Sequence, residues 1–309
     1  MQTENFIAYL VVFLRFLRRC SLSESHYIML DSEIFLPKED QWVMNLCILL
    51  LKEEKKSKPE LARKAEHEGW SVWSLQGGLE TLTDSMVDHL CNNGAEIKYD
   101  TKITSIELQG KKARIKMESG EEIETEQLIS AIPAISLAPL LKKSHPGVSK
   151  ILQDIKCVTV GLANFEYAGK DLLQMDAFGF LVPSSQDLSV LGVVFDTCSF
   201  PQGDKTILTV MYGGHRYQPT TPIELEEICK FSLSKTLGIN EEPHRKSVQI
   251  LKDCIPQYTV GHNGRVNAID EIISKESLPI IVTGASYKGV SVNDCVLNGI
   301  RSAENLLAR

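Results

Sequence analysis

Alternation and helical spacing divide most of this chain into elements before any motif is considered. Residues 96–99, 102–108, 114–117 and 121–124 alternate apolar and polar positions. Gly110-Lys111 and Ser119-Gly120 stand between them as turns, and together they predict a β-meander. The same alternation over 156–167, 190–196 and 206–212, rich in Val and Phe, predicts three longer strands. Helical spacing follows elsewhere. Leu79, Leu82, Met86, Val87 and Leu90 share a face that stops at Asn92-Asn93-Gly94, and Leu225, Ile228, Cys229 and Leu233 point inward from a helix over 222–237. Val266, Ile269, Ile272 and Ile273 mark another helix, and Val296, Ile300, Ala303 and Leu307 a last one. Two runs do not alternate: Leu278-Pro-Ile-Ile-Val-Thr, and Gln127-Leu-Ile-Ser-Ala-Ile halted by Pro133. Both read as short buried strands.

The N-terminal pattern is different. Nine apolar residues from Phe6 to Leu14 precede Arg15, Arg18 and Arg19, so the charges lie on the wrong side for a secretory signal and the run is too short to span a bilayer. An interfacial helix with a basic flank and a buried helix both remain open. Residues 45–68 hold an apolar patch, a Lys/Glu-rich solvated stretch and a helix opened by Pro59. The pattern separates residues 1–68, 69–136, 137–252 and 253–309, with strands packed on helices as an α+β unit in the third.

The stretch that joins the last predicted strand to the last helix is Gly284-Ala-Ser-Tyr-Lys-Gly-Val-Ser-Val-Asn. Gly284 and Gly289 let backbone approach a ligand. Ser291 or Asn293 can cap a helix whose N-terminal dipole attracts an anion such as a diphosphate. The spacing is not G-x-G-x-x-G, and a plain packing turn would look the same.

Composition narrows the classes. With 309 residues, 43% hydrophobic and 24% charged, the chain has room for two globular domains. A net charge of -7 argues against a nucleic-acid partner. Eight cysteines without a C-x-x-C pair predict reduced thiols and no metal site. No G-x-S-x-G, H-E-x-x-H or P-loop is present, and His262, near Tyr258, reads as a structural hydrogen-bonding residue; no side chain stands out as catalytic.

Three stretches together carry a resemblance: the run from Gly284 to Cys295, Cys254-Ile-Pro-Gln-Tyr-Thr-Val-Gly-His, and Trp73-Ser-Leu-Gln-Gly-Gly-Leu-Glu-Thr-Leu. They resemble the oxygen-dependent protoporphyrinogen oxidases, flavoproteins of the flavin amine oxidase superfamily. The resemblance covers the later part of that family, from about residue 59 or 45 to the C-terminus. It implies an α/β, FAD/NAD(P)-binding-like fold, partial because the N-terminal Rossmann strand and loop are missing, with an α+β substrate domain built on a mixed or antiparallel sheet. Residues 1–68 become an atypical N-terminus and the remnant of a helical membrane-binding domain. Residues 69–136 and 253–309 become FAD-domain segments, and 137–252 the substrate-binding domain.

By the same resemblance FAD is the cofactor, held by Ile103 on the adenosine side and by Gly284, Gly289, Val290, Ser291, Val292 and Asn293. Ile103 is equally a core isoleucine by its pattern alone. Phe178, Gly179, Leu181, Val194 and Met211 match the tetrapyrrole pocket, although large apolar residues are as readily core. The implied reaction is stepwise oxidation of protoporphyrinogen IX to protoporphyrin IX, with O2 reoxidising FAD and releasing hydrogen peroxide. The implied setting is peripheral contact with the mitochondrial inner membrane, with no presequence visible and a homodimer left open. No G-x-G-x-x-G stands in the chain, so the expectation is a polypeptide that binds FAD weakly or not at all alone. The alternative is a noncatalytic short isoform that binds porphyrin or pairs with a full-length subunit.

Overall fold

The computed structural model describes residues 27–29, 60–69, 74–75, 77–183, 185–186, 189–213 and 221–307. The apolar run after Phe6, the arginines that follow it, the Lys/Glu-rich stretch, Pro59, Trp73 and Gln76 lie outside the described residues. Two compact units divide the rest: one takes the residues up to Lys156 and from Pro256 onward, the other Cys157–Ile255.

In the first unit α1 is Glu60–His67 and α2 is Glu80–Asn92, which buries Leu82, Thr83 and Leu90. Strands β1, Tyr27–Met29, and β2, Ile97–Tyr99, pair antiparallel as a two-stranded ribbon. The predicted meander is therefore three strands, not four. It comprises β3 (Ile103–Gln109), β4 (Lys112–Met117) and β5 (Glu122–Thr125), while β2 takes a different partner. Its alternation is the reason it folds: β4 buries Ala113, Ile115 and Met117 and turns Lys112, Arg114 and Lys116 outward, where Lys116 Nζ meets Glu107 Oε1 at 3.1 Å.

β6 (Leu128–Ser130) is buried throughout. It is followed by α3 (Ala134–Leu141) and α4 (Pro146–Gln153). These two helices lie in residues that the apolar pattern assigned to the second unit. Leu137, Leu141, Val148 and Leu152 pack instead with Ile106, Ile115 and Ile269, so the second unit starts at Cys157 and not at residue 137. Two hydroxyls fix them there: Ser144 donates to the Ile106 carbonyl at 2.8 Å and Ser149 to the Ala138 carbonyl at 2.6 Å.

The second unit is a five-stranded antiparallel sheet. Its strands are β7 (Cys157–Ala168), β8 (Gly179–Leu181), β9 (Val190–Phe195), β10 (Lys205–Gly213) and β11 (Arg245–Pro256), in the order β11-β7-β10-β9-β8, with a single turn of helix, α5 (Asp196–Ser199), after β9. β8 and β11 are strands that the sequence pattern did not show, and β11 is the longer. Its residues are mostly half-buried or exposed, so the alternation that marks the other long strands is weak in it.

One face of the sheet carries α6 (Pro222–Leu237). Its ends are written in the sequence. Thr221 Oγ1 accepts the Glu224 N–H at 3.2 Å, Pro222 takes the first helical position, and Gly238 turns left-handed at φ +71° to close the C-terminus, each cap contributing roughly 1 kcal/mol. Leu225, Cys229 and Leu233 of α6 bury against Ala163, Phe165, Val193, Leu208 and Val210. Gly161 admits this contact, because a β-carbon there would stand 2.7 Å from a Leu225 methyl.

The chain returns to the first unit through α7 (His262–Lys275), β12 (Ile280–Val282) and α8 (Val292–Leu307). β12 pairs in parallel with β6. The buried side of α8 differs from the spacing-based expectation: Cys295, Val296, Asn298, Gly299 and Ser302 are inside, while Ile300 is 40% and Leu307 79% exposed. Small residues let the helix lie close to its neighbours, and that contact outweighs the apolar repeat. No described helix is long and apolar enough to cross a membrane.

Candidate functional site

The site begins where β12 ends. Thr283 N–H extends the parallel pairing to the Ser130 carbonyl at 2.9 Å. Gly284 then turns at φ +98°, and its carbonyl accepts the Tyr287 N–H at 3.1 Å. Ala285, Ser286 and Tyr287 are buried. Ser286 Oγ accepts the Ala134 N–H at 3.0 Å, which satisfies a free donor at the start of α3 and anchors the turn to it.

Tyr258 spans the turn. Its hydroxyl donates to the Ala285 carbonyl at 2.5 Å and accepts the Gly289 N–H at 2.8 Å, so one side chain ties both limbs of the loop. Burial pushes the Tyr258 phenol up to about 12, and it stays a neutral donor. His262 stacks on Tyr258 with ring centroids 3.7 Å apart, and its Nε2 lies 2.9 Å from the Tyr287 carbonyl. That is a buried, structural histidine.

The far end of the turn is closed by the chain itself. Ser291 Oγ accepts the Asp294 N–H at 3.0 Å, while Asp294 Oδ2 accepts the Ser291 N–H at 3.1 Å and its hydroxyl at 2.7 Å, a reciprocal cap at the start of α8. Gly289, at φ +123°, lies directly over this cap, and a β-carbon there would meet Asp294 Cγ at 2.4 Å. The Asp294 carboxylate offsets the positive end of the helix. A diphosphate, expected here from sequence, would meet that negative charge and has no reason to prefer this end. The arrangement suits an uncharged acceptor edge instead, since the N–H groups of Val292 and Asn293 lie in the first turn beside half-exposed Val290.

A second motif reaches the same place. Gly77 and Gly78 both turn with positive φ, +88° and +95°, before α2. Leu75, Leu79, Leu82 and Met86 from that segment pack on Ala285, Val292, Cys295 and Val296. The three separate stretches, around Gly77, Tyr258 and Gly284, thus converge on one cluster. Ile103, by contrast, opens β3 and packs against the core of the meander and α3, apart from this cluster.

In the second unit the residues matched to the tetrapyrrole pocket share the sheet face opposite α6. Leu181, Gly192, Met211 and Leu162 stand in register across four strands. Gly179, Val194, Thr209 and Asn164 form the neighbouring row. The face opens toward β8, where Leu181 is 84% exposed, and Phe178, just before the strand, is 60% exposed. Leu162, at the other end, is buried. Within this wall Asn164 Nδ2 donates to Thr209 Oγ1 at 2.7 Å, and Thr209 Oγ1 donates to Asp196 Oδ2 at 2.8 Å. Burial raises the Asp196 carboxyl to about 6.

The model of the family "Flavin containing amine oxidoreductase" matches residues 3–307. The chain belongs to the flavin-containing amine oxidoreductase family. This membership includes the N-terminal residues, which the motifs alone left outside it. Within the family the chain is 35% identical to the protoporphyrinogen oxidase of Bos taurus and 36% to that of Homo sapiens, over 80% of this chain and 54% of each relative. A Bacillus subtilis coproporphyrinogen III oxidase is 23% identical over 76% of this chain and 50% of its own length. The chain spans about half the length of the curated relatives it matches. Among solved structures, a provisionally assigned protoporphyrinogen oxidase from Exiguobacterium superposes with a TM-score of 0.69 at 23% identity, covering 76% of this chain and 52% of that one. Reduced UDP-galactopyranose mutase superposes at 0.64 and 15%, covering 83% and 60%. These superpositions agree with the α/β, FAD/NAD(P)-binding-like fold expected from the sequence, and the second sheet of this chain is antiparallel.

What the motifs did not show is the bracing of this flavoprotein fold. Tyr258 stands inside a quoted stretch, yet its double hydrogen bond depends on a loop 27 and 31 residues further on. The Asn164, Thr209 and Asp196 chain is drawn from three separate elements, and its only signal in the sequence is polar residues at positions where the alternation puts a sheet face.

Proposed function

We propose that this chain carries the flavin-facing turn and the substrate wall of a protoporphyrinogen oxidase-type enzyme of porphyrin biosynthesis. The observation that carries the proposal is the register of the second sheet. Leu181, Gly192 and Met211 fall in one row and Gly179 and Val194 in the next, a shallow half-exposed apolar strip beside two glycines on which a large flat macrocycle can rest. Leu181 and Phe178 at its open edge supply removable apolar area of about 25 cal/mol per Å2 covered.

FAD fits the turn on the terms described above: Gly289 and Val290 offer backbone and a small apolar contact, and Val292 and Asn293 offer N–H donors to a neutral acceptor edge. Ser291 is occupied in capping α8. When bound, FAD supplies the acceptor for a hydride from a methylene bridge of protoporphyrinogen IX and is reoxidised by O2, with three turns required to reach protoporphyrin IX. The residues of this chain hold that chemistry in place. Tyr258 and Ser286 keep the turn rigid, and the Gly77-Gly78 segment closes over it through Leu75 and Leu79. The setting we propose is the mitochondrial inner membrane, by peripheral contact.

Purified chain titrated with FAD tests the first half and with protoporphyrin IX the second. Saturable tetrapyrrole binding that weakens in Leu181→Ala is the expected result, with FAD held only weakly by this chain alone. Absence of binding to both protoporphyrin IX and the reduced porphyrinogen overturns the proposal. A second assignment, a noncatalytic chain that pairs with a full-length subunit, draws on β12. Among the described residues β12 pairs only with β6, and a cavity of about 440 Å3 lies beside it between α7 and α8. Size-exclusion chromatography with and without a full-length relative separates the two.

A further inference from the structure

We propose that Asn164, Thr209 and Asp196 form an acceptor site for the pyrrole N–H groups of the reduced tetrapyrrole, so that this sheet face holds the porphyrinogen more tightly than the oxidised porphyrin. The proposal rests on the porphyrinogen assignment above. Thr209 sits in register between Val194 and Asn164, two residues from Met211 on the same face, so the polar chain is set into the apolar wall. Its proton is committed. The Thr209 hydroxyl donates to Asp196 at 2.8 Å and accepts from Asn164 at 2.7 Å, which leaves one lone pair on the hydroxyl, while the carboxylate behind it also takes backbone hydrogen bonds from Thr209 and from Asp196 itself. The other carboxylate on this face, Glu166, is held by Lys205 at 3.1 Å. A buried acceptor in an apolar wall is complemented by a donor on the ligand.

The two oxidation states of the macrocycle differ in this respect. In a porphyrinogen four saturated bridges let the pyrrole rings tilt, and four N–H groups can converge on an acceptor lying off one face. In the porphyrin the ring is flat and conjugated, with two N–H groups directed into its own centre. An acceptor beneath the face therefore contacts the substrate and not the product. Burial holds the Asp196 carboxyl at about 6, so it is largely ionised at neutral pH and strongest as an acceptor there and above.

Anaerobic calorimetric titration of the full chain, with any bound flavin kept reduced, compares protoporphyrinogen IX with protoporphyrin IX. The expected wild-type preference for the porphyrinogen is roughly tenfold. Thr209→Val should bring the ratio to within about twofold with little change in porphyrin affinity, and Thr209→Ser should restore it. Asp196→Asn, which keeps an acceptor for Thr209 but removes the charge, should lower the ratio and covers the case in which the valine variant fails to fold. Equal wild-type affinities, or a preference that survives both Thr209→Val and Asp196→Asn, overturn the proposal while leaving the porphyrinogen assignment intact. Failure of the wild type to bind either tetrapyrrole overturns that assignment and this proposal with it.

Discussion

The glycine turn of the first unit and the sheet face of the second are built by opposite means. In the turn the proposed functional surface is backbone, positioned by side chains: Tyr258 and Ser286 bond main-chain groups, and Asp294 bonds the Ser291 N–H together with its hydroxyl. On the sheet face the backbone is regular, and the surface is the side chains themselves, Leu181, Val194 and Met211. A backbone site is sensitive to anything that moves the chain and tolerant at its exposed positions. A side-chain wall should behave in the reverse way, because truncating exposed Leu181 should remove contact with the proposed tetrapyrrole while leaving the fold in place.

That contrast can be broken, beginning with the turn. Gly289→Ala has to relieve φ +123° and a 2.4 Å clash with Asp294, and urea denaturation should show a loss of about 3 kcal/mol together with weaker FAD binding. Tyr258→Phe keeps the ring stacked on His262 but leaves the Ala285 carbonyl and Gly289 N–H without their shared partner, an expected loss of about 2 kcal/mol. If Tyr258→Phe leaves both stability and FAD affinity unchanged, the turn is not braced as described.

Asp196 sharpens the other half. Its folded carboxyl titrates at about 6, above its ordinary value of 3.8, so the folded state favours the protonated form. That contribution is complete below the ordinary value and is lost as pH rises through about 6. Asp196→Asn should therefore gain roughly 2 kcal/mol at pH 7 and flatten the stability profile between the two values. A variant less stable than wild type at pH 7 would contradict this. Leu181→Ala is expected to have the smallest effect on the fold, within about 0.5 kcal/mol by thermal denaturation, since 84% of the side chain is exposed; porphyrin affinity is where its effect should be seen.

The same division explains what was legible in the sequence. Strands with one buried face announce themselves: β7, β9 and β10 alternate, and α6 carries both its caps in local sequence, Thr221-Pro-Ile-Glu at one end and Gly238 at the other. Elements whose burial is shared with distant partners do not. The unit to which helices α3 and α4 belong is not written in their own pattern, because their leucines meet β3, β4 and α7, a choice made by tertiary packing. The inward side of α8 is not legible in the sequence because Gly299 and Ser302 carry no hydrophobic signal. In the candidate site the glycines were visible and the ligand class followed from resemblance. The self-capped helix end was not legible as such, because Ser291 and Asp294 looked as suited to flanking an anion as to excluding one.

The pairing of Gly289 with Asp294 reaches beyond this one fold. The carboxylate occupies the space that any side chain at 289 would need, so the two positions are joined as a single unit of variation. Among related chains a larger residue at 289 should occur only where 294 has become small and another group caps the helix. A combinatorial library covering both sites should return functional sequences along that diagonal and few away from it.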